Sequence, residues 1–313
     1  MTGTGPLALG GSLAPARRLP APAARRRFVL LMLAPATALL LAVTLLPFLW
    51  ALAMSLTDLS LTRPGQTAFV GLANYRALIL SPEVWQAARV TALFTGLAVS
   101  IQLALGVGLA VLLHHETRGA WAWRLAFLLP MAVTPVAALF TFRMMFHPSI
   151  GVLNALLKDL GLPPVDWLGT PSMALVSLLI VDCWQWTPFV LLIAAGGLAS
   201  LDPEPLEAAA LDGAGPWRVF WDHTLPMLAP YLAVAVVFRA IDAFKTFDVI
   251  FVLTGGGPGV ATRTLNLLAY KQGIEFLSIG YAAALAIVML AVTILAAQAF
   301  LRRTGFFRPK APL

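Results

Sequence analysis

Apolar and polar residues alternate along this chain in long blocks, with six apolar stretches at about 30–55, 92–113, 125–146, 172–199, 226–253 and 280–301. Each is about 20 residues or longer and nearly free of charge. That length lets a helix cross the roughly 30 Å hydrocarbon core of a bilayer at about 1.5 Å per residue. Backbone groups in lipid must bond within their own segment, so the stretches are expected as helices. The fold class is therefore all-α, a polytopic membrane protein with six transmembrane helices. Pro130, Pro135 and Pro188 fall inside these stretches and predict kinks buried against neighbouring helices. In the second stretch Gly96, Ser100, Ala104 and Gly108 recur every four residues. That spacing puts them on one face and predicts a close approach by another helix there.

Composition agrees with the pattern. The chain has 313 residues, 60% hydrophobic and 11% charged, against about 25% charged in soluble domains. The net charge of +7 does not point to nucleic acid, because the basic residues sit at the ends of apolar runs and not on one polar face. They also set an orientation. With both ends cytoplasmic, the inner segments hold twelve Lys and Arg and the outer loops six, mostly through the two tails. Residues 1–27, rich in Pro, Ala and Arg, read as a disordered cytoplasmic tail, 28–303 as a six-span domain, and 304–313 as a second cytoplasmic tail. Arg25-Arg26-Arg27-Phe28 looks superficially like an export signal. The uncharged run after it is twice the length of a signal core, so a retained anchor is expected. A single cysteine, Cys183, cannot form an internal disulfide.

Between the fourth and fifth stretches, residues 200–226 read as a helix–turn–helix. Asp202 can cap a helix with Pro203 in its first turn. Glu207 to Leu211 is helix-forming, Gly213 and Gly215 break it, and Pro216 opens a second short helix ending near Pro226. Ala208, Ala209 and Ala210 give a smooth face that another protein can approach. The loop carries five acidic residues (Asp202, Glu204, Glu207, Asp212 and Asp222) and one basic residue. An excess of acid on the expected inner side has a cause other than topology.

Glu207-Ala208-Ala209-Ala210-Leu211-Asp212-Gly213-Ala214, followed by Phe220, Leu225-Pro226 and Pro230, resembles the EAA motif of permeases in binding-protein-dependent ABC importers. His223 departs from it, standing where the family usually has an aliphatic residue. The resemblance extends over about 28–303. Phe69-Val70-Gly71-Leu72-Ala73-Asn74-Tyr75 is similar to an outer segment of sugar-type permeases. Leu253-Thr254-Gly255-Gly256-Gly257-Pro258 with Thr262 resembles a signature of the maltose and glycerol-phosphate branch. The resemblance implies a transport subunit without a cofactor, in a bacterial inner membrane. It implies partners as well: a second homologous permease in a heterodimer, an ATPase dimer, an extracytoplasmic solute-binding protein, and a sugar or polyol substrate. Glu207, Ala208, Ala209, Asp212, Gly213, Leu225 and Pro226 would form the ATPase-coupling element. Glu207 would pair with a basic group of the ATPase, and Gly213 would make the turn.

Polar residues inside the spans are the candidates for a substrate path, since each costs about 2.5–3.5 kcal/mol to insert. Asp182, Gln185, Trp186 and Phe189 share a face of the fourth stretch. Asp242, Lys245 and Thr246 share one on the fifth. Asp182 and Asp242 are expected about 15 and 18 Å below the outer surface. Carboxylates and amides suit hydroxyls, and aromatic faces cover the apolar side of a sugar ring. The same residues, with Arg239, could instead pair among themselves. No Gly-x4-Gly-Lys-Ser/Thr loop for ATP, no metal-ligand spacing and no Ser-His-Asp arrangement is present; His114-His115 reads as a solvated loop pair. A secondary transporter or a membrane enzyme built on Asp182 and Asp242 has no need of the acidic hairpin.

Overall fold

The computed structural model describes residues 22–115 and 119–303. Among them the chain is helical, without strands apart from one bridge between Thr57 and Phe69. The helices are α1 Pro22–Ser55, α2 Ala73–Leu80, α3 Pro82–His115, α4 Ala120–Ala132, α5 Pro135–Met145, α6 Val152–Asp159, α7 Pro171–Ala199, α8 Glu204–Leu211, α9 Pro216–Val219, α10 Leu225–Phe244, α11 Asp248–Leu253, α12 Leu265–Tyr270 and α13 Ile279–Arg303. The chain divides into two units: the stretch up to Trp50, whose described part lies within helix α1, and the body from Ala51 onward. α1 already runs from Pro22, within the stretch expected as tail. The rest of that tail, the tail 304–313 and Arg118 lie outside the described residues.

Five helical segments are long and apolar enough to cross a membrane: Arg26–Ser55, Pro82–His114, Pro171–Ala199, Pro216–Phe244 and Ile279–Arg303. The third expected span is not one straight helix. It is the pair α4 and α5, bent by 93°, and counting the pair as one crossing gives six. The bend has a local cause. Pro135 disfavours the helical region for the residue before it, and Thr134 sits at ψ 120°.

The fifth stretch also departs from expectation, at both ends. The second helix of the hairpin does not end near Pro226. α9 continues through a π turn at Phe220–Thr224 into α10. Pro226 has no N–H to give to the Asp222 carbonyl four residues back. The wider turn re-registers the ladder, with the Leu225 N–H reaching the Phe220 carbonyl. At the other end the helix stops at Phe244 and resumes at Asp248, so 226–253 is broken over Lys245–Phe247. The Asn266 amide donates to the Lys245 carbonyl exposed by the break. Phe247 stacks on Phe251 and meets Tyr270 at a tilt beside it, with ring centroids 5.1 and 5.0 Å away.

Helices α3 and α7 form the central pair. The close approach does not use the expected row: Gly96, Ser100, Ala104 and Gly108 are exposed. Ala98, Gln102, Gly106 and Ala110, two positions along, are buried instead. A Cβ on Gly106 would lie 2.6 Å from Val190 Cβ, whereas one on Gly96 or Gly108 meets nothing within 4 Å. Four-residue spacing describes both rows equally well. The choice between them is made by α7, whose Asp182 takes Gln102. After α5, Asn154 clamps the loop around α6, donating to the Pro148 and Val165 carbonyls and accepting from the Val165 N–H and Trp167 Nε1 at 2.9–3.1 Å.

Candidate functional site

The polar residues of the spans converge where α3, α7 and α10 meet. Arg239, on α10, is 1% exposed, and its guanidinium reaches three helices. Nη2 donates to Asp182 Oδ2 at 3.0 Å, Nε donates to Gln102 Oε1 at 2.8 Å, and Nη1 donates to Asp242 Oδ2. Gln102 Nε2 closes the ring by donating to the same Asp182 oxygen at 2.7 Å. The guanidinium carbon lies 4.8 Å from the centre of the Trp186 ring, a cation–π contact worth about 2 kcal/mol when desolvated. Asp182 and Gln102 are 3% and 0% exposed, while the Asp242 side chain is 46% exposed. One guanidinium is shared by two carboxylates, and the open end of the cluster is Asp242.

Of the residues singled out in sequence, Asp182, Trp186 and Asp242 are thus brought together. Phe189 lies against Phe238 of α10 at 6.4 Å between ring centroids, and Gln185 is buried. Lys245 and Thr246 do not share a helical face with Asp242, because α10 ends before them; Lys245 is exposed at the break. The pairing that occurs is Asp182–Arg239–Asp242, and among the described residues Lys245 makes no ion pair. The sequence reading missed Gln102. A lone amide within an otherwise apolar stretch was the signal that could have found it.

The hairpin forms where its residues predict it, although Pro203, not Asp202, stands at the N-cap of α8 and so precedes the first turn. Asp202 Oδ1 accepts the Glu204 N–H at 3.1 Å, and Glu204 and Glu207 stand in the first turn of α8, where the helix dipole favours anions. Past the end of α8 the chain turns at Gly213 with φ +84°, a conformation that glycine adopts without strain. Ala214 N–H then returns to the Ala209 carbonyl at 3.0 Å. Ala209 is buried, on a helix that packs against α9 and the π turn. Glu207, Ala208, Asp212 and Pro226 face outward, and Leu225 is half-buried. Leu211 and Trp217 are 89% and 74% exposed, and Trp217 contacts Phe220 and Trp221. The Arg218–Asp222 pair at 3.4 Å is exposed and contributes little.

Residues 102–304 match the family of binding-protein-dependent transport system inner membrane components. The chain belongs to that family. This permease is 43% identical over 247 residues to a probable ABC transporter permease, y4oQ, of Sinorhizobium fredii, covering 79% of this chain and 80% of that one. It is 38% identical to the trehalose/maltose transport system permease protein MalF of Thermococcus litoralis, covering 77% and 81%. In fold it is similar to a subunit of a bacterial alginate ABC transporter, solved in complex with an alginate pentasaccharide-bound periplasmic protein. The TM-score is 0.78 at 20% identity, over 91% of this chain and 97% of that one. The permease is therefore an inner membrane transport subunit and not an enzyme, with ATP hydrolysed on a separate chain. Its transport depends on a binding protein, as the family description states.

Proposed function

We propose that this permease forms half of the membrane path for a sugar or related polyol. It pairs with a second homologous permease. An ATPase dimer docks on the 200–226 hairpin, and an extracytoplasmic binding protein delivers substrate. Residues 28–303 make the permease domain, with both termini cytoplasmic. The observation that carries the coupling half of this reading is the unbroken helix Pro216–Phe244, which joins the exposed hairpin directly to a span and to Arg239. A displacement of the hairpin is carried along this one continuous helix to the polar cluster. Glu207, Ala208, Ala209, Asp212, Gly213, Leu225 and Pro226 are assigned to this coupling element.

The substrate path is assigned to the surface around Asp242, Trp186, Gln185, Phe189, Lys245 and Thr246. A half-exposed carboxylate beside aromatic rings suits hydroxyls on an otherwise apolar ring face. Asp182, sealed by Arg239 and Gln102, acts there from behind. The sugar class draws support from the trehalose/maltose permease of Thermococcus litoralis. The test is uptake by vesicles holding the complete importer, across trehalose, maltose, glucose, glycerol and glycerol 3-phosphate. ATP-dependent accumulation of at least one is expected. Accumulation of none would refute the substrate class.

A further inference from the structure

The buried cluster has one hub, and the hub touches both groups at which the proposed path is open. Arg239 holds Asp242 through Nη1 and lies over Trp186 at 4.8 Å. Its other donors are fixed by Asp182 and Gln102, which are sealed from solvent and cannot themselves meet a substrate. Gln102 is in turn fixed at both ends of its amide, since its oxygen accepts from Arg239 and its nitrogen donates to Asp182. The direction of support thus runs from α3 and α7 through Arg239 to Asp242.

We infer that Arg239 is a positioning residue for substrate selectivity. It fixes the Asp242 carboxylate beside Trp186, so that Oδ1, which accepts no hydrogen bond among the described residues, is presented to one hydroxyl of the passing sugar. This rests on the substrate path proposed above. A planar guanidinium serves this role and an ammonium does not, because three fixed directions are needed at once: to Gln102, to Asp182 and to Asp242. A carboxylate with one oxygen tethered accepts a hydroxyl from a narrow range of angles, whereas an untethered one rotates about its last torsion to accept from many. Arg239 therefore governs how well the site tells a substrate from its analogue lacking that hydroxyl.

The experiment uses the complete importer in vesicles and a member of the panel above that it accumulates, with each singly deoxygenated analogue as competitor. Wild type and variants share one binding protein, so any change in discrimination belongs to the permease. Wild type is expected to discriminate against one analogue, and Asp242→Asn to reduce that discrimination by about tenfold, the lower range for a hydrogen bond to a charged group. Arg239→Lys is expected to flatten discrimination against the same analogue, with the other analogues unaffected and the ATPase still co-purifying. The double variant should be no flatter than either single one. A merely structural role would lower all rates together and leave the ratios alone. If Arg239→Lys does not assemble, Gln102→Met removes the Nε acceptor while keeping both carboxylates, and the same loss is expected. An assembled Arg239→Lys or Gln102→Met variant that discriminates as wild type does overturns the inference while leaving the path intact. Unchanged discrimination in Asp242→Asn overturns both, as does accumulation of no panel member.

Discussion

The contact between α3 and α7 makes a sharp claim about one glycine. A methyl added at Gly106 lies 2.6 Å from Val190 Cβ, 2.7 Å from Val190 Cγ1 and 3.0 Å from the Leu191 backbone nitrogen. Carbon atoms prefer about 3.5–4.0 Å, so the helices must part by roughly 1 Å. Val190 cannot relieve the clash by turning, because its Cβ is itself the nearest atom. Overpacking of this kind costs about 1–3 kcal/mol. Alanine also gains roughly 0.5–1 kcal/mol over glycine inside a helix. Gly108 is the internal control: it receives the same gain and meets nothing within 4 Å. Subtracting the two variants cancels propensity and leaves the clash, about 1–3 kcal/mol. The assay is the fraction of isolated permease remaining monodisperse in detergent after heating, for Gly106→Ala beside Gly108→Ala. Gly106→Ala should fail at the lower temperature. Equal midpoints would refute the assigned face and return the contact to the row 96, 100, 104 and 108.

Three further outcomes follow from named contacts. Asp182→Leu leaves Arg239 sealed with only Asp242 as counter-charge, so the isolated permease should lose about 3 kcal/mol or more. Adding Arg239→Leu should restore part of that in the same heating assay, and a double variant no better than the single would contradict it. Asn154→Ala removes four hydrogen bonds, each worth about 1 kcal/mol. Faster hydrogen exchange at the Val165 amide with little change at α7 is the expected signature, and unchanged exchange would show that the clamp is idle. Leu211→Cys, at the tip of the hairpin, should react with a membrane-impermeant maleimide only in inside-out vesicles. Labelling in right-side-out vesicles would invert the proposed orientation.

The long-range order of the chain was legible because the bilayer filters sequence so strongly. Twenty uncharged residues in lipid leave the backbone one solution, and five of the six stretches contain helices of spanning length. Breaks within stretches were harder to read. Pro135 announced a kink but not a 93° bend, and nothing local announced the stop at Phe244, where the Lys245 carbonyl is met by Asn266 from twenty-one residues beyond. The hairpin was legible since its glycine and prolines act within a few residues, although the cap fell on Pro203 and not on Asp202. The π turn was not, because it answers a missing N–H by shifting a register and leaves no composition of its own. At the polar cluster, sequence placed Asp182 and Asp242 at similar depth but could not say that Arg239 stood between them. That arrangement depends on the rotation of three helices about their axes, which the row of small residues on α3 had suggested wrongly.

The central claim is that ATP hydrolysed on another chain drives this permease through the 200–226 hairpin, and Gly213 tests it most directly. Its φ of +84° is closed to proline. No Cβ contact lies within 4 Å, so any effect of substitution comes from the turn and not from the packing around it. The measurement is accumulation of a panel sugar in vesicles holding the whole importer, with ATP or with an ion gradient alone, for wild type and Gly213→Pro, beside the amount of ATPase that co-purifies. Wild type should accumulate substrate with ATP and not with the gradient. Gly213→Pro should insert normally yet lose ATP-driven accumulation, the bound ATPase, or both. Gradient-driven accumulation without nucleotide, or normal ATP-driven accumulation with full ATPase retention in Gly213→Pro, would contradict the account.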